Sequence, residues 1–157
     1  MSDLPYRPCV GIMLVNDAGL VFVGKRLDQT VEGWQMPQGG IDDGEAPEVA
    51  VFREMEEEIG TRNAEIIGIM EDWISYDFPA YLAQKLFNGG YRGQRQKWIA
   101  LRFLGQDSDI RLETHTHPEF KQWKWVPIGS LLNYVVPFKR DVYEQVMKEF
   151  EQYARAE

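Results

Sequence analysis

The chain has 157 residues, 44% of them hydrophobic and 27% charged, which suits one domain with a closed core and excludes a disordered chain. Its formal charge of −8 argues, as a sum, against a phosphate-rich partner, and no apolar run approaches the roughly 20 residues of a membrane span, so neither DNA nor a membrane is expected. Cys9 is the single cysteine and residues 1–7 lack an export pattern, so no internal disulfide is expected, and a cytoplasmic location is.

Residues 8–15 read as a strand, Asn16 to Gly19 as a turn and residues 20–24 as a second strand, which predicts a hairpin. Residues 34–37 form a short extended piece ended by Gly39 and Gly40. Residues 46–59 are patterned as a helix, with Pro47 in the first turn and Gly60 just past the end. Residues 65–73 predict another strand. Residues 76–93 read as a long loop or irregular arm, unusually aromatic for a loop in carrying Tyr76, Phe78, Tyr81, Phe87 and Tyr91. Further strands are expected over 93–103 and 123–126, with a turn of helix at 127–132. Over 140–153, Val142, Val146, Phe150 and Tyr153 recur at helical spacing, predicting an amphipathic helix. Strands with two helices and no βαβ alternation predict an α+β domain or a layered α/β/α one.

Charge is distributed unevenly. Residues 42–58 hold eight acids (Asp42, Asp43, Glu45, Glu48, Glu54, Glu56, Glu57, Glu58) against one base, Arg53. Bases gather elsewhere: Lys25 with Arg26, Arg92 with Arg95 and Lys97, Lys121 with Lys124, Lys139 with Arg140. Such a map suits a metal site flanked by phosphate-binding groups. On a helix turning about 100° per residue, Glu54, Glu57 and Glu58 share one face, while Phe52, Met55 and Ile59 lie opposite and can anchor it. Like charges at this spacing weaken a helix unless a cation compensates. Oxygen-only ligands select magnesium or manganese over zinc. The blander reading is a solvated acidic face, and Glu56, projecting toward the apolar arc, fits it best. His115 and His117, two apart with no cysteine nearby, read as part of a polar loop beside Glu119.

The run from Gly39 through Glu45, Arg53, Glu54, Met55, Glu57, Glu58 and Gly60 resembles the Nudix box: Gly, five residues, Glu, seven residues, Arg-Glu, an apolar residue, any residue, Glu-Glu, any residue, Gly. Thr61 departs from the apolar residue that closes the pattern, after the ligands. Likeness extends from Tyr6 to about Phe150, through Trp34 to Ile41, Gly93 to Trp98, Pro118 to Phe120 and Phe138 to Tyr143. Those segments are similar to bacterial RNA pyrophosphohydrolases and to the dinucleoside polyphosphate hydrolases of the same subgroup.

The resemblance implies a single Nudix domain over 6–150, its box at 39–61. The implied fold is an α/β/α sandwich with a mixed sheet and a loop–helix–loop catalytic motif. It implies Arg53 orienting a glutamate, and Glu54, Glu57, Glu58 and Glu119 holding Mg2+, for which Mn2+ can substitute. Either Glu57 or Glu119 takes the proton from water. Arg26, Gln38, Gly39, Gly40 and Lys97 are implied at the phosphates, with Glu45 bracing the loop. Arg7, Tyr76, Phe138 and Lys139 are implied at the nucleotide. The implied activity is metal-dependent removal of pyrophosphate from 5′-triphosphorylated RNA. The alternative is hydrolysis of a dinucleoside polyphosphate, diadenosine tetraphosphate giving ATP and AMP. Two other readings are weaker: a nucleotide-sensing module should have lost box carboxylates, and an acidic interaction helix would leave Gly39, Glu45 and Arg53 as coincidence. No oligomer is predicted.

Overall fold

The computed structural model describes residues 4–26, 33–113 and 119–154. In chain order they form β1 (Tyr6–Val15), β2 (Val21–Arg26), β3 (Trp34–Gln35), β4 (Gln38–Gly40), α1 (Pro47–Ile59), β5 (Ala64–Ile69), β6 (Ile74–Asp77), the short α2 (Ala80–Ala83), β7 (Gly93–Phe103), β8 (Phe120–Val126) and α3 (Arg140–Phe150). The alternation of β1 sets the layering. Val10, Ile12 and Leu14 meet Ala50, Val51, Met55 and Ile59 of α1 on one face of the sheet. Met13 and Val15 join Val142, Val146 and Phe150 of α3 on the other. Two helices thus sandwich a mixed sheet, as expected.

The strand order is β3-β2-β1-β7-β5, with β4 beside β1, β6 beside β7 and β8 beside β2. β1 and β7 run parallel from Tyr6↔Gly93 to Val15↔Arg102, and the other pairs are antiparallel. The expected hairpin forms because the Asn16 side chain accepts the N–H groups of Ala18 and Leu20 while Gly19 takes a φ of 77°. β2 pairs with β1 at Val15↔Val21, and β4 takes the β1 edge from Cys9 to Gly11. The chain therefore enters α1 directly from a strand anchored at the centre of the sheet.

α1 begins at Pro47 and ends at Gly60, whose left-handed backbone (φ 80°) lets its N–H donate to the Glu56 carbonyl. Burying Val51, Met55 and Ile59 contributes roughly 1.5–3 kcal/mol each, against a few tenths for each like-charged pair on the helix, so burial wins. That arc excludes Glu56: its side chain is exposed and sits 3.6 Å from Arg62, not toward the apolar side. Phe52 is half-buried at the rim of the same cluster.

Three expectations need correction. The strand expected over 65–73 ends at Ile69, after which the Met70 N–H donates to the Trp98 carbonyl and the chain turns. The expected loop over 76–93 contains the end of β6 and α2, because Ile74 to Asp77 finds partners on β7. The last helix gives way after Phe150 to a 3-10 turn, Glu151–Tyr153. His115 and His117 lie outside the described residues.

Candidate active site

Arg53 is the hub of the site. Its Nε and Nη2 donate to the two oxygens of Glu45 at 2.9 and 2.8 Å, a bidentate pair. Nη2 also reaches the Gly40 carbonyl at 2.8 Å, while Nη1 donates to Glu54 at 2.9 Å and to Glu57 at 3.4 Å. One guanidinium therefore ties the loop entering the helix to the helix acids. Glu45 in turn accepts the Asp42 N–H, and these bonds, the Arg53 pair foremost, pull its carboxyl down to about 2.

Glu54 and Glu58 are buried, contrary to what a solvated acidic face would show. Burial, reinforced by the Glu57 charge, pushes Glu54 up to about 7. Burial first, then the charges of Glu54 and Glu119, raise Glu58 well above the ordinary carboxylate range. Glu58 Oε2 has no hydrogen-bond partner among the described residues. The helix comes this close to the sheet because Gly39 has no side chain; a Cβ there would overlap the Glu54 carboxyl. At Gly40 a Cβ would likewise collide with the Arg7 guanidinium.

These groups open on a cavity of about 290 Å³. Its acidic wall is Glu54, Glu57, Glu58 and Glu119, and its basic wall is Arg7 and Arg26; Gln38, Gly39 and Gly40 form the floor. Arg26 lies 3.7 Å from Glu119, bridging the two walls. A smaller slot of about 60 Å³ adjoins it, sharing Arg26 and Gln38 and lined further by Tyr76, Phe138 and Lys139. The structure thus gathers the sequence candidates into two adjoining spaces. Two candidates are the exception and line neither space: Arg53 stands behind the carboxylates it bonds, and Lys97 lies apart. The Lys97 amine donates to the Glu71 carbonyl at 2.8 Å and lies over the Trp73 ring.

Sequence reasoning missed the glutamines. Gln94 Oε1 accepts from the Tyr76 hydroxyl, Gln38 and Gln96, and Gln96 Oε1 accepts from the Trp98 indole. Gln94 and Gln96 are buried on one face of β7 with Trp98, and their mutual bonds offset the cost of burying amides. Lys139 is buried as well, donating to Gln35 at 3.3 Å and lying 6.0 Å from the Phe138 ring centre. Leu86 and Phe87 also line both spaces. No local pattern marks Gln94, Gln96 or Leu86, whereas Lys139 is implied at the nucleotide by the resemblance and Phe87 belongs to the aromatic excess of residues 76–93.

The NUDIX domain matches residues 5–146. The chain belongs to the NUDIX family. The RNA pyrophosphohydrolase of Rhodospirillum rubrum is 58% identical over 98% of this chain and 92% of its own length. That of Roseobacter denitrificans is 54% identical over 96% and 95%. Among solved structures, the E. coli dihydroneopterin triphosphate pyrophosphohydrolase superposes with a TM-score of 0.71 at 18% identity, covering 92% of this chain and 99% of its own. A C. elegans Ap4A hydrolase complex gives 0.63 at 15%, covering 92% and 98%. At such identities these two likenesses concern the fold alone.

NUDIX enzymes generally use divalent metal ions. The donor set fits one: carboxylate oxygens without sulfur or imidazole, two of them pushed toward neutrality by burial, and one oxygen of Glu58 left without a partner. Among the described residues no three carboxylates converge as they stand, since Glu54 and Glu57 both lean on Arg53.

Proposed function

We propose that this NUDIX hydrolase removes pyrophosphate from the 5′-triphosphate end of RNA, leaving a 5′-monophosphate, in the cytoplasm. The carrying observation is the adjoining pair of spaces: a carboxylate cavity with two arginines opens into a slot walled by Tyr76 and Phe138. A ligand filling both has a phosphate chain at one end and an aromatic base at the other. The names and near-complete coverage of the curated relatives support RNA as that ligand.

In this reading Glu54, Glu57, Glu58 and Glu119 hold Mg2+, with Mn2+ as substitute. The ion, when bound, neutralises charge on the phosphate oxygens and acidifies water. Arg26 holds the phosphates by charge-assisted bonds, with Gln38 and the backbone at Gly39 and Gly40 as their seat. Arg7, implied by the resemblance at the base, lines the carboxylate cavity and not the slot, and is therefore assigned to the phosphates instead. Glu57 or Glu119 accepts the proton of the attacking water. The new P–O bond forms as the anhydride breaks, so water and triphosphate RNA become monophosphate RNA and pyrophosphate. Arg53 lies behind the carboxylates, where it orients them. Tyr76, Phe138 and Lys139 receive the base by stacking and hydrogen bonding.

The test gives purified protein and magnesium 5′-triphosphate RNA and diadenosine tetraphosphate in parallel, with Glu57→Gln alongside. Faster conversion of the RNA, lost in the variant, is expected. Preference for the dinucleotide, with ATP and AMP as products, would overturn the RNA reading.

A further inference from the structure

The aromatic arm between β6 and β7 is the part of the molecule that the proposed chemistry leaves unused. After α2 the chain makes a turn at Leu86–Gly89 in which Phe87 (φ 54°, ψ 35°) and Asn88 (φ 57°, ψ 29°) both adopt the left-handed conformation. For a bulky residue such as phenylalanine this is a true outlier, and it persists where surrounding contacts impose it. Here those contacts are rings and a cation. The Arg7 guanidinium lies 4.4 Å over the Phe87 ring, Phe78 stacks beside it at 6.1 Å and 28°, and Tyr91 meets it edge-on at 5.9 Å. Even so the ring is 42% exposed.

Leu86 and Phe87 border both the carboxylate cavity and the aromatic slot. The slot, at about 60 Å³, is narrow beside the adjoining cavity of about 290 Å³, so a base entering it presses on its walls. Phe138 and Lys139 adjoin α3, and Tyr76 is held by β7, so that side is fixed. The Leu86–Gly89 turn, by contrast, has no buried residue. It is the wall with the least burial to hold it in place.

We propose that Phe87 is a substrate-binding residue: the turn swings out to admit a nucleobase, and the Phe87 ring then closes on that base. The ligand is the purine or pyrimidine ring of the nucleotide whose phosphates occupy the neighbouring cavity. Stacking of this kind accepts any base, since every base has a π face. The placement beside Arg7 links the two halves of the ligand, because the guanidinium under Phe87 also faces the phosphate cavity. This inference rests on the proposed function for the identity of the ligand.

The test is equilibrium binding in the Glu57→Gln background, read by fluorescence anisotropy with a 3′-labelled 5′-triphosphate trinucleotide. The RNA is used intact and with an abasic nucleotide at its first or second position. Phe87→Ala should weaken binding of intact RNA about tenfold, within the range for one base–aromatic stack. Phe87→Trp should restore it. On the RNA lacking the stacked base, the alanine variant should bind as well as its parent. An equal loss on all three RNAs would mean that Phe87 acts through Arg7 or the fold, and no loss would mean that it does nothing; either overturns the proposal. Turnover of intact RNA by unsubstituted protein is measured beside it. Turnover without a Phe87 effect sinks the stacking role alone, and a Phe87 effect without turnover sinks the hydrolytic reading alone.

Discussion

The carboxylate cavity and the aromatic slot adjoin, yet they are built on opposite principles. Three of the cavity's four carboxylates, Glu54, Glu57 and Glu58, stand on one helix whose Val51, Met55 and Ile59 are fully buried, and one arginine cross-braces them. The slot takes Arg26, Tyr76, Phe87, Gln94 and Phe138 from separate segments, and one of its walls is an exposed, strained turn. Phosphate chemistry needs carboxylates placed to fractions of an ångström, which a packed helix provides. A base needs flat surfaces to stack on, which the rings of Tyr76, Phe87 and Phe138 supply.

The largest effect should come from breaking the brace. Arg53→Ala frees Glu45, Glu54 and Glu57 together and leaves a half-buried knot of acids without its cation. A misplacement of about 1 Å in such a constellation costs on the order of a hundredfold in turnover. Removing one partner of a buried pair costs roughly 3 kcal/mol of stability. Steady-state rates and denaturant midpoints check both, and a variant within threefold of the parent in rate would show that the brace is dispensable.

The next effect concerns pH. Glu54 is held at about 7 in the fold, and burial raises Glu58 as well, both above the ordinary 4.5. Groups with raised values stabilise the fold fully below 4.5, and that contribution is lost as pH climbs through the folded values. Metal-free protein should therefore melt at a higher temperature at pH 5 than at pH 8, with Glu54 accounting for at most about 3 kcal/mol. Glu54→Gln should flatten the profile, and magnesium should raise the melting point more at pH 8 than at pH 5. A flat profile in metal-free parent protein would contradict the burial argument.

A smaller change is expected at the slot. Phe138→Ala removes a ring 6.0 Å from Tyr76 and should raise KM for RNA about tenfold while leaving inhibition by inorganic tripolyphosphate unchanged. Equal losses for both ligands would erase the division between the two spaces.

The same contrast explains what the sequence made legible. The box could be read because its residues are near neighbours on one helix, so that spacing alone places Glu54, Glu57 and Glu58 together. The sandwich follows from the resemblance more than from any period: α1 and α3 carry helical spacing, but β1 is an apolar run buried on both faces. Gln94 and Gln96 look like solvent-facing residues but are buried, because Gln96 donates to Gln94 along β7 while Tyr76, Gln38 and Trp98 donate to their side-chain oxygens. Lys139 is buried where its amine donates a hydrogen bond to Gln35, more than a hundred residues away in sequence. Phe87 was noticed as excess aromaticity, but its role depends on a backbone conformation that no residue type announces.

Lys97 provides the finest test of the boundary. Its basic neighbours in sequence and its likeness to the family suggested a phosphate contact, whereas the fold sets its amine 2.8 Å from the Glu71 carbonyl, beside an Arg95 that stacks on the same Trp73 ring. The lost bond is at the surface, where water replaces it, and Arg95 keeps the indole covered. Lys97→Ala should therefore change kcat/KM for RNA less than about twofold, in keeping with surface substitutions that stay within 0.5 kcal/mol. A tenfold loss would mean that the amine leaves Glu71 for a phosphate when substrate binds. The turn at residues 70–73 would then belong to the moving parts of the site, and the cavity would be less rigid than its helix implies.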